Sequence, residues 1–292
     1  MASIAATEQK GERRPLWPPG SVIVGVDGSW WSELALRWSV WACQRTGRDL
    51  EIRHALDPSM DSPGAVVHAA GELVHQLNPA LAARYSQLAA PIAKVLTDRQ
   101  RPHDVVTLGW RGAASGRSCA PTGIGATVLD VVARSRGSTV VVRFPSQGSS
   151  NVRVVAAIGR LPEDEPVLRW AAEFAAGPGG ELVLAHAVPL AFGERSCQLA
   201  EAEDAGLALL RHAAGTVGGK WRGLAIRTEL ARGHPHDLLA NPLGADLLVM
   251  GNHPAAAGEP PGALVRTALH HAPCTVMVTT RTLPECRGLM AP

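Results

Sequence analysis

Lysine is scarce: Lys10, Lys94 and Lys220 are the only ones in 292 residues. Arginine supplies the remaining positive charge, and 28 basic residues almost balance 26 acidic ones, for a net charge of +2. With no Lys/Arg-dense block and no global field, the chain has nothing to recruit nucleic acid or an anionic membrane surface. Cysteine is sparse and scattered at Cys43, Cys119, Cys197, Cys274 and Cys286. An odd total without a CxxC pair argues against a disulfide framework or structural zinc and for a reducing compartment, the cytoplasm. No window approaches the roughly 18 apolar residues of a membrane span. The first residues mix Glu8, Lys10, Glu12, Arg13 and Arg14 with no apolar core, unlike a secretory signal. Catalytic signatures are missing too: there is no GxxxxGK[ST] loop, no GxSxG elbow and no locally spaced Ser/His/Asp set. Phosphoryl transfer needs a lysine or a metal-binding carboxylate close to a glycine loop, and Asp27 is the sole obvious candidate. The expectation is a binding protein, not an enzyme.

What the chain does have is apolar residues, 46% of the total, enough at this length for two cores. Its most informative stretch runs from Asp104 to Arg143. Val105, Val106 and Leu108 form a buried-strand run that stops at Gly109. Residues 109 to 125 then hold five glycines, Arg111 and Arg117, and no acidic residue. Ala126 to Arg134 reads as a helix and Val140 to Val142 as a closing strand. A strand, a glycine-rich loop and a helix N-terminus make an anion cradle, because exposed backbone N–H groups and the helix dipole both favour negative charge.

The chain before this stretch alternates strand and helix. Residues 1–20, rich in Pro and Gly at their end, read as a leader outside regular structure. Ser21 to Val26, Leu50 to Leu56, Tyr85 to Ala89 and Asp104 to Leu108 are the expected strands, with helices from Ser32, Ala65 and Pro91 between them. That rhythm predicts a parallel, doubly wound sheet. The second half repeats the first. Leu36-Arg37-Trp38 recurs as Leu168-Arg169-Trp170, 132 positions later, and the same offset carries Glu33 to Glu165 and His54-Ala55 to His186-Ala187. The chain is therefore read as a tandem duplication: residues 21–145 and 151–281, a short linker from Ser146 to Ser150, and a tail at 282–292. The second copy's strands are expected at Val152 to Ile158, Leu182 to Ala187, Leu224 to Leu230, Asp246 to Met250 and Thr275 to Thr279.

Val24-Gly25-Val26-Asp27-Gly28-Ser29 with Ala35-Leu36-Arg37-Trp38, the glycine loop, and Ala245-Asp246-Leu247-Leu248-Val249-Met250-Gly251 with Leu269-His270-His271-Ala272-Pro273-Cys274 together resemble a tandem universal stress protein. The resemblance implies an α/β architecture of two doubly wound, five-stranded parallel-sheet domains, adenine nucleotide alpha hydrolase-like with strand order 3-2-1-4-5. It also implies an intrachain pseudo-dimer paired through the last strand of each domain, and leaves open whether two chains form a homodimer. In one branch of the family ATP is bound at a loop of the form G-2x-G-9x-G-[S/T]; another branch lacks the motif and binds none. By position, the resemblance puts Gly109, Gly112, Gly125, Ala126 and Thr127 at the phosphates, and Gly25, Val26, Asp27 and the backbone of Ala55 at the adenosine.

The match is incomplete. Twelve residues, 113 to 124, separate Gly112 from Gly125, and Ala126 stands at the hydroxyl position. Trp30, Trp31 and Trp110 lie beside or within the proposed pocket, where indoles could stack on a base or fill the space. In the second copy Gly159 replaces the carboxylate of Asp27, and Gly251-Asn252-His253-Pro254 puts a proline, which has no N–H, at the second glycine. That copy is expected to be structural. Asp27 itself reads equally as a ligand group or a helix cap, while His54 and His186 read as structural. His270-His271 at a helix end reads as a cation on the dipole, and His234-Pro235-His236 as a turn into a helix. Two main functions follow from the resemblance: a cytoplasmic stress-response protein with an ATP or adenine-nucleotide site in the first domain, or an interaction scaffold that binds no nucleotide and acts through protein partners; a slow ATPase ranks third.

Overall fold

The computed structural model describes residues 20–56, 63–112, 124–144, 151–188, 196–253 and 259–280. The expected leader except Gly20, the linker and the tail, together with Arg117, fall outside them. The first half runs β1 (Ser21–Gly25), α1 (Trp30–Thr46), β2 (Asp49–Ala55), α2 (Pro63–Leu77), β3 (Ala83–Leu88), α3 (Ile92–Thr97), β4 (Val105–Gly109), α4 (Ala126–Arg134) and β5 (Ser138–Val142). The second half runs β6 (Arg153–Ala157), α5 (Glu165–Ala175), β7 (Glu181–Val188), α6 (Ser196–Lys220), β8 (Ala225–Arg232), α7 (Pro235–Ala240), β9 (Leu247–Asn252), α8 (Ala263–His271) and β10 (Thr275–Thr280).

All ten strands join one sheet in the order β3-β2-β1-β4-β5-β10-β9-β6-β7-β8. Each half has the expected 3-2-1-4-5 order, and every pairing is parallel except the central one. There β5 meets β10 antiparallel, with Val141 opposite Val276, Val140 opposite Met277 and Thr139 opposite Val278. The inner strands are mostly apolar because helices cover both faces: β4 and β5 are buried at every position, Thr107, Ser138 and Thr139 included. α1 starts two residues earlier than its apolar periodicity indicates. Ser29, not Ser32, is the N-cap, its hydroxyl accepting the Ser32 N–H at 3.1 Å. The helix ends on Gly47, whose left-handed φ of 69° lets its N–H close on Cys43 O at 2.8 Å.

The landmark tryptophans of the repeat, Trp38 and Trp170, are both fully buried. They meet around Phe174, whose ring lies 5.5 Å from Trp38, 5.9 Å from Trp41 and 6.2 Å from Trp170. This aromatic cluster fastens α1 to α5 across the seam. Beside it, Arg48 donates twice to Glu173 Oε1 (3.0 and 2.9 Å) and once to His103 O (2.8 Å), while its guanidinium stacks 4.5 Å over Trp170. Arg45 donates to the Phe174 carbonyl. Truncating Arg48 leaves the Glu173 carboxylate without its principal partner in a largely buried setting. We expect Arg48→Ala to lower unfolding stability by about 3 kcal/mol, read as a fall in the urea midpoint, and Arg48→Lys to recover only part of it because lysine cannot form the two-pronged contact.

Candidate functional site

The C-terminal ends of β1 and β4 are adjacent, so the turns that follow them meet over one crevice, the switch point of a doubly wound sheet. The β1 turn is tightly pinned. Asp27 Oδ1 accepts the Ser29 N–H at 3.0 Å, and the Asp27 N–H donates to Ser32 Oγ at 3.3 Å. The capping role thus belongs to Ser29, and Asp27 braces the turn with one oxygen. Its other oxygen, Oδ2, faces the β4 loop: a Cβ on Gly112 would lie 3.2 Å from it. Asp27 and Gly112 are therefore brought together, as expected.

The remaining candidates are placed differently from one another. Gly109 is buried, and its missing side chain is what admits α1: a Cβ there would lie 2.5 Å from Trp31 O. Gly25 similarly faces Leu96 of α3, 3.0 Å from a notional Cβ. Val26 is buried with both backbone groups engaged, its N–H on Arg53 O at 3.0 Å and its carbonyl on His54 Nδ1 at 2.7 Å. Ala55 is half-buried at the end of β2. Gly125 caps α4, and its N–H donates to Trp110 O at 3.3 Å. Ala126 and Thr127 are exposed on the first turn of α4. Next to the crevice, a groove of about 560 Å³ opens between α1 and α2, with Val26, Leu36, Val66 and Leu73 among its walls and Ser29 and Ser32 at its inner end.

Trp110 has the role least legible in the sequence. Its indole N–H donates to Leu269 O of α8 at 3.0 Å, reaching into the other half. Arg111 lies 4.4 Å and Arg143 4.1 Å from the ring, and Trp31 meets it edge-on at 5.9 Å. The indole so placed packs the seam. Arg143 goes on to donate to His270 O and Ala272 O. The cation on the C-terminus of α8 is therefore Arg143. His270 is held below its ordinary pKa by burial first and then by the charges of His271, Arg266 and Arg143, so it favours the neutral form.

The second-half crevice is closed from within. Asp164 Oδ2 accepts the N–H groups of Gly159 and Arg160 (2.7 and 2.9 Å), and Oδ1 pairs with His253 Nε2 at 2.8 Å. Asp164 stands 132 positions after Ser32, so the carboxylate lost at position 159 is regained from the residue that precedes α5. That offset was the signal for it. A Cβ on Gly251 would strike both partners, at 2.6 Å from His253 Nε2 and 2.7 Å from Asp164 Oδ1. The matching histidines of the two halves behave alike: His186 Nδ1 lies 2.7 Å from Ile158 O, as His54 does from Val26 O. His234 precedes α7, and His236 Nδ1 meets Thr267 Oγ1 at 2.6 Å. Among the described residues no group of three or more His, Cys, Asp or Glu could hold a metal, and no helix is long and apolar enough to cross a membrane.

Burial alone raises the Asp164 pKa, but the hydrogen bond from His253, the Arg160 and Gly159 N–H groups and the charge of His253 outweigh it and hold the carboxyl below 3.8. A depressed carboxyl stabilises the fold above its unfolded pKa and loses that contribution as pH falls through the folded value. Asp164→Asn is expected to lower stability at pH 7 by about 2 kcal/mol. Its urea midpoint should also fall less steeply than that of the unaltered chain between pH 5 and pH 3.

Residues 151–280 match the model of the universal stress protein family. No curated protein matches the chain in sequence. Among solved structures, a universal stress protein from Archaeoglobus fulgidus DSM 4304 is similar at 16% identity and TM-score 0.60, covering 90% of this chain and 98% of that one. A protein of unknown function from Pseudomonas aeruginosa PAO1 is similar at 13% identity and TM-score 0.62, over 89% and 92%. The cytoplasmic domain of a prokaryotic cation chloride cotransporter shares the fold at 12% identity and TM-score 0.52, over 89% and 95%. Likeness at these identities speaks for fold alone. The second half, residues 151–280, is thus similar to the universal stress protein family, and the first half has the same 3-2-1-4-5 strand order.

Proposed function

We propose that the chain is a stress-response protein of the reducing cytoplasm whose first half binds an adenine nucleotide in the crevice between the β1 and β4 turns. The second half serves as its structural partner, and binding proceeds without turnover. The observation that carries this reading is the Asp27 carboxylate held against Gly112 at the switch point, where the second half has an internal Asp164–His253 pair instead. A carboxylate at such a point accepts the hydroxyls of a ribose, the role acidic residues take in other doubly wound nucleotide sites.

A scaffold that binds no nucleotide is the second reading. It is favoured by the Gly125 N–H being engaged on Trp110 O, which removes one of the donors at the start of α4, and by the packing of Trp31 and Trp110. Isothermal titration separates the two. The full-length chain should give binding heat with at least one of adenosine, AMP and ATP at up to millimolar concentration, and Asp27→Ala should weaken it tenfold or more, as expected for losing a hydrogen bond to a charged group. Silence with all three ligands overturns nucleotide binding in favour of the scaffold.

A further inference from the structure

We infer that the groove between α1 and α2 is a second ligand site, built for a small amphipathic amine: an apolar body on the groove floor and a cationic head at its acidic rim. Nucleotide binding in the crevice is not required for it. β1, β2 and β3 are parallel neighbours, so α1 and α2 return side by side along one face of the sheet and in the same direction. Each turns one stripe to the groove, Ser29, Ser32 and Leu36 on α1 and Val66, Ala69 and Leu73 on α2, at three- and four-residue spacings. The large members of the stripes set the distance between the helices. At the N-terminal end a Cβ on Gly28 would lie 3.5 Å from Val66 Cγ2. One turn further the groove is lined by Ser32, Ala69 and Ala70, side chains too short to fill the gap that Val66 and Leu73 hold open. The result is the cavity of about 560 Å³, a size suited to a small organic molecule.

Floor and rim differ in chemistry. Val26, Leu36 and Ala70 are buried at the base, and the Ser32 hydroxyl among them is already spent, donating to Ser29 O at 2.9 Å and accepting the Asp27 N–H at 3.3 Å. Such a floor asks for apolar surface and for no hydrogen bond. On the rim stand two carboxylates, Glu33 and Glu72. Both contacts of Arg37 with Glu33, at 3.0 and 2.8 Å, fall on Oε1, so Glu33 Oε2 and the exposed carboxylate of Glu72 stay available to a cation. An ion pair at a solvent-exposed rim adds only a factor of about five in affinity, and burial of the apolar body supplies the rest. The floor therefore sets whether a ligand binds, and the rim sets which head group is preferred.

Saturation-transfer NMR titrations of the full-length chain at pH 8, where imidazole carries no charge, test the site with phenylbutylamine, phenylbutanol and phenylbutyrate, which share one apolar body. The amine should bind about fivefold more tightly than the alcohol, and the carboxylate most weakly. Ala69 is exposed on α2 and lines the groove. Ala69→Phe should therefore put its ring in the space and weaken all three probes at least tenfold, with a urea midpoint close to that of the unaltered chain; Ala69→Leu replaces it if the larger ring shifts the midpoint. Glu72→Gln should leave the alcohol unchanged and narrow the gap between it and the amine. Equal binding of the three probes overturns the assignment to an amine. Binding that survives both Ala69 variants, or no binding of any probe at millimolar concentration, overturns the site itself.

Discussion

The antiparallel pairing of β5 with β10 is the constraint on which the rest of the molecule depends. A five-stranded parallel sheet ending in a fully buried strand such as Ser138–Val142 has an edge that cannot face water without inviting adventitious pairing. Joining the two last strands removes both such edges at once and places them at the middle of a ten-stranded sheet. The outer edges that remain are of a different kind. β3 and β8 mix half-buried and exposed positions without strict alternation, and both carry ionic decoration, Arg84 with Asp49 at one end and Arg227 with Glu229 at the other. Charged, partly exposed strands are tolerable edges.

The seam also explains why the glycine loop of the first half looks as it does. Residues after β4 stand next to β5, and β5 stands next to the other half, so a large side chain at position 110 can reach across. Trp110 does so, and its cost to the loop is concrete: the carbonyl of the same residue takes the N–H of Gly125. The counterpart loop after β9 reads Asn252-His253, and there the reach is inward, to Asp164. Trp110 at the start of one loop is committed to the seam, and His253 at the start of the other to its own turn. Neither use requires a change of fold, because both turns lie beyond the strand ends, where the sheet imposes least.

Much of this was legible from residues alone. Inner strands announce themselves because burial on both faces demands continuous Val, Ile and Leu, and the 132-residue offset of Leu-Arg-Trp reported the duplication because Trp38 and Trp170 are both core. β3 was harder to delimit: an edge strand with Tyr85 and Leu88 exposed has no strict pattern to mark its ends. Of the candidate site residues, Asp27 and Gly112 are the pair that the structure brings side by side. Gly109 and Gly25 read as ligand contacts on the resemblance, whereas their lack of a side chain is explained by the approach of Trp31 and Leu96. Glycine in a sequence says that something comes close and is silent on whether it is a ligand or a helix. Trp110 was missed in its true role for the same reason, since its partner Leu269 is 159 positions away and no local spacing encodes that contact.

Duplication followed by fusion lets two copies of one crevice face different selection while sharing a sheet. In the second copy, a carboxylate four to five residues further along the chain satisfies the turn N–H groups of Gly159 and Arg160 from inside, so the turn is stable with nothing bound. In the first copy the Asp27 carboxylate braces its own turn through Ser29 and keeps its second oxygen at the crevice. A turn that completes its own hydrogen bonding gains nothing from a ligand, whereas a preorganised acceptor at a strand switch point is what a hydroxyl-bearing ligand needs. The asymmetry between Asp27 and Asp164 is thus one of position: the first has an oxygen directed at Gly112 at the strand switch point, and the second is enclosed by its own turn and His253.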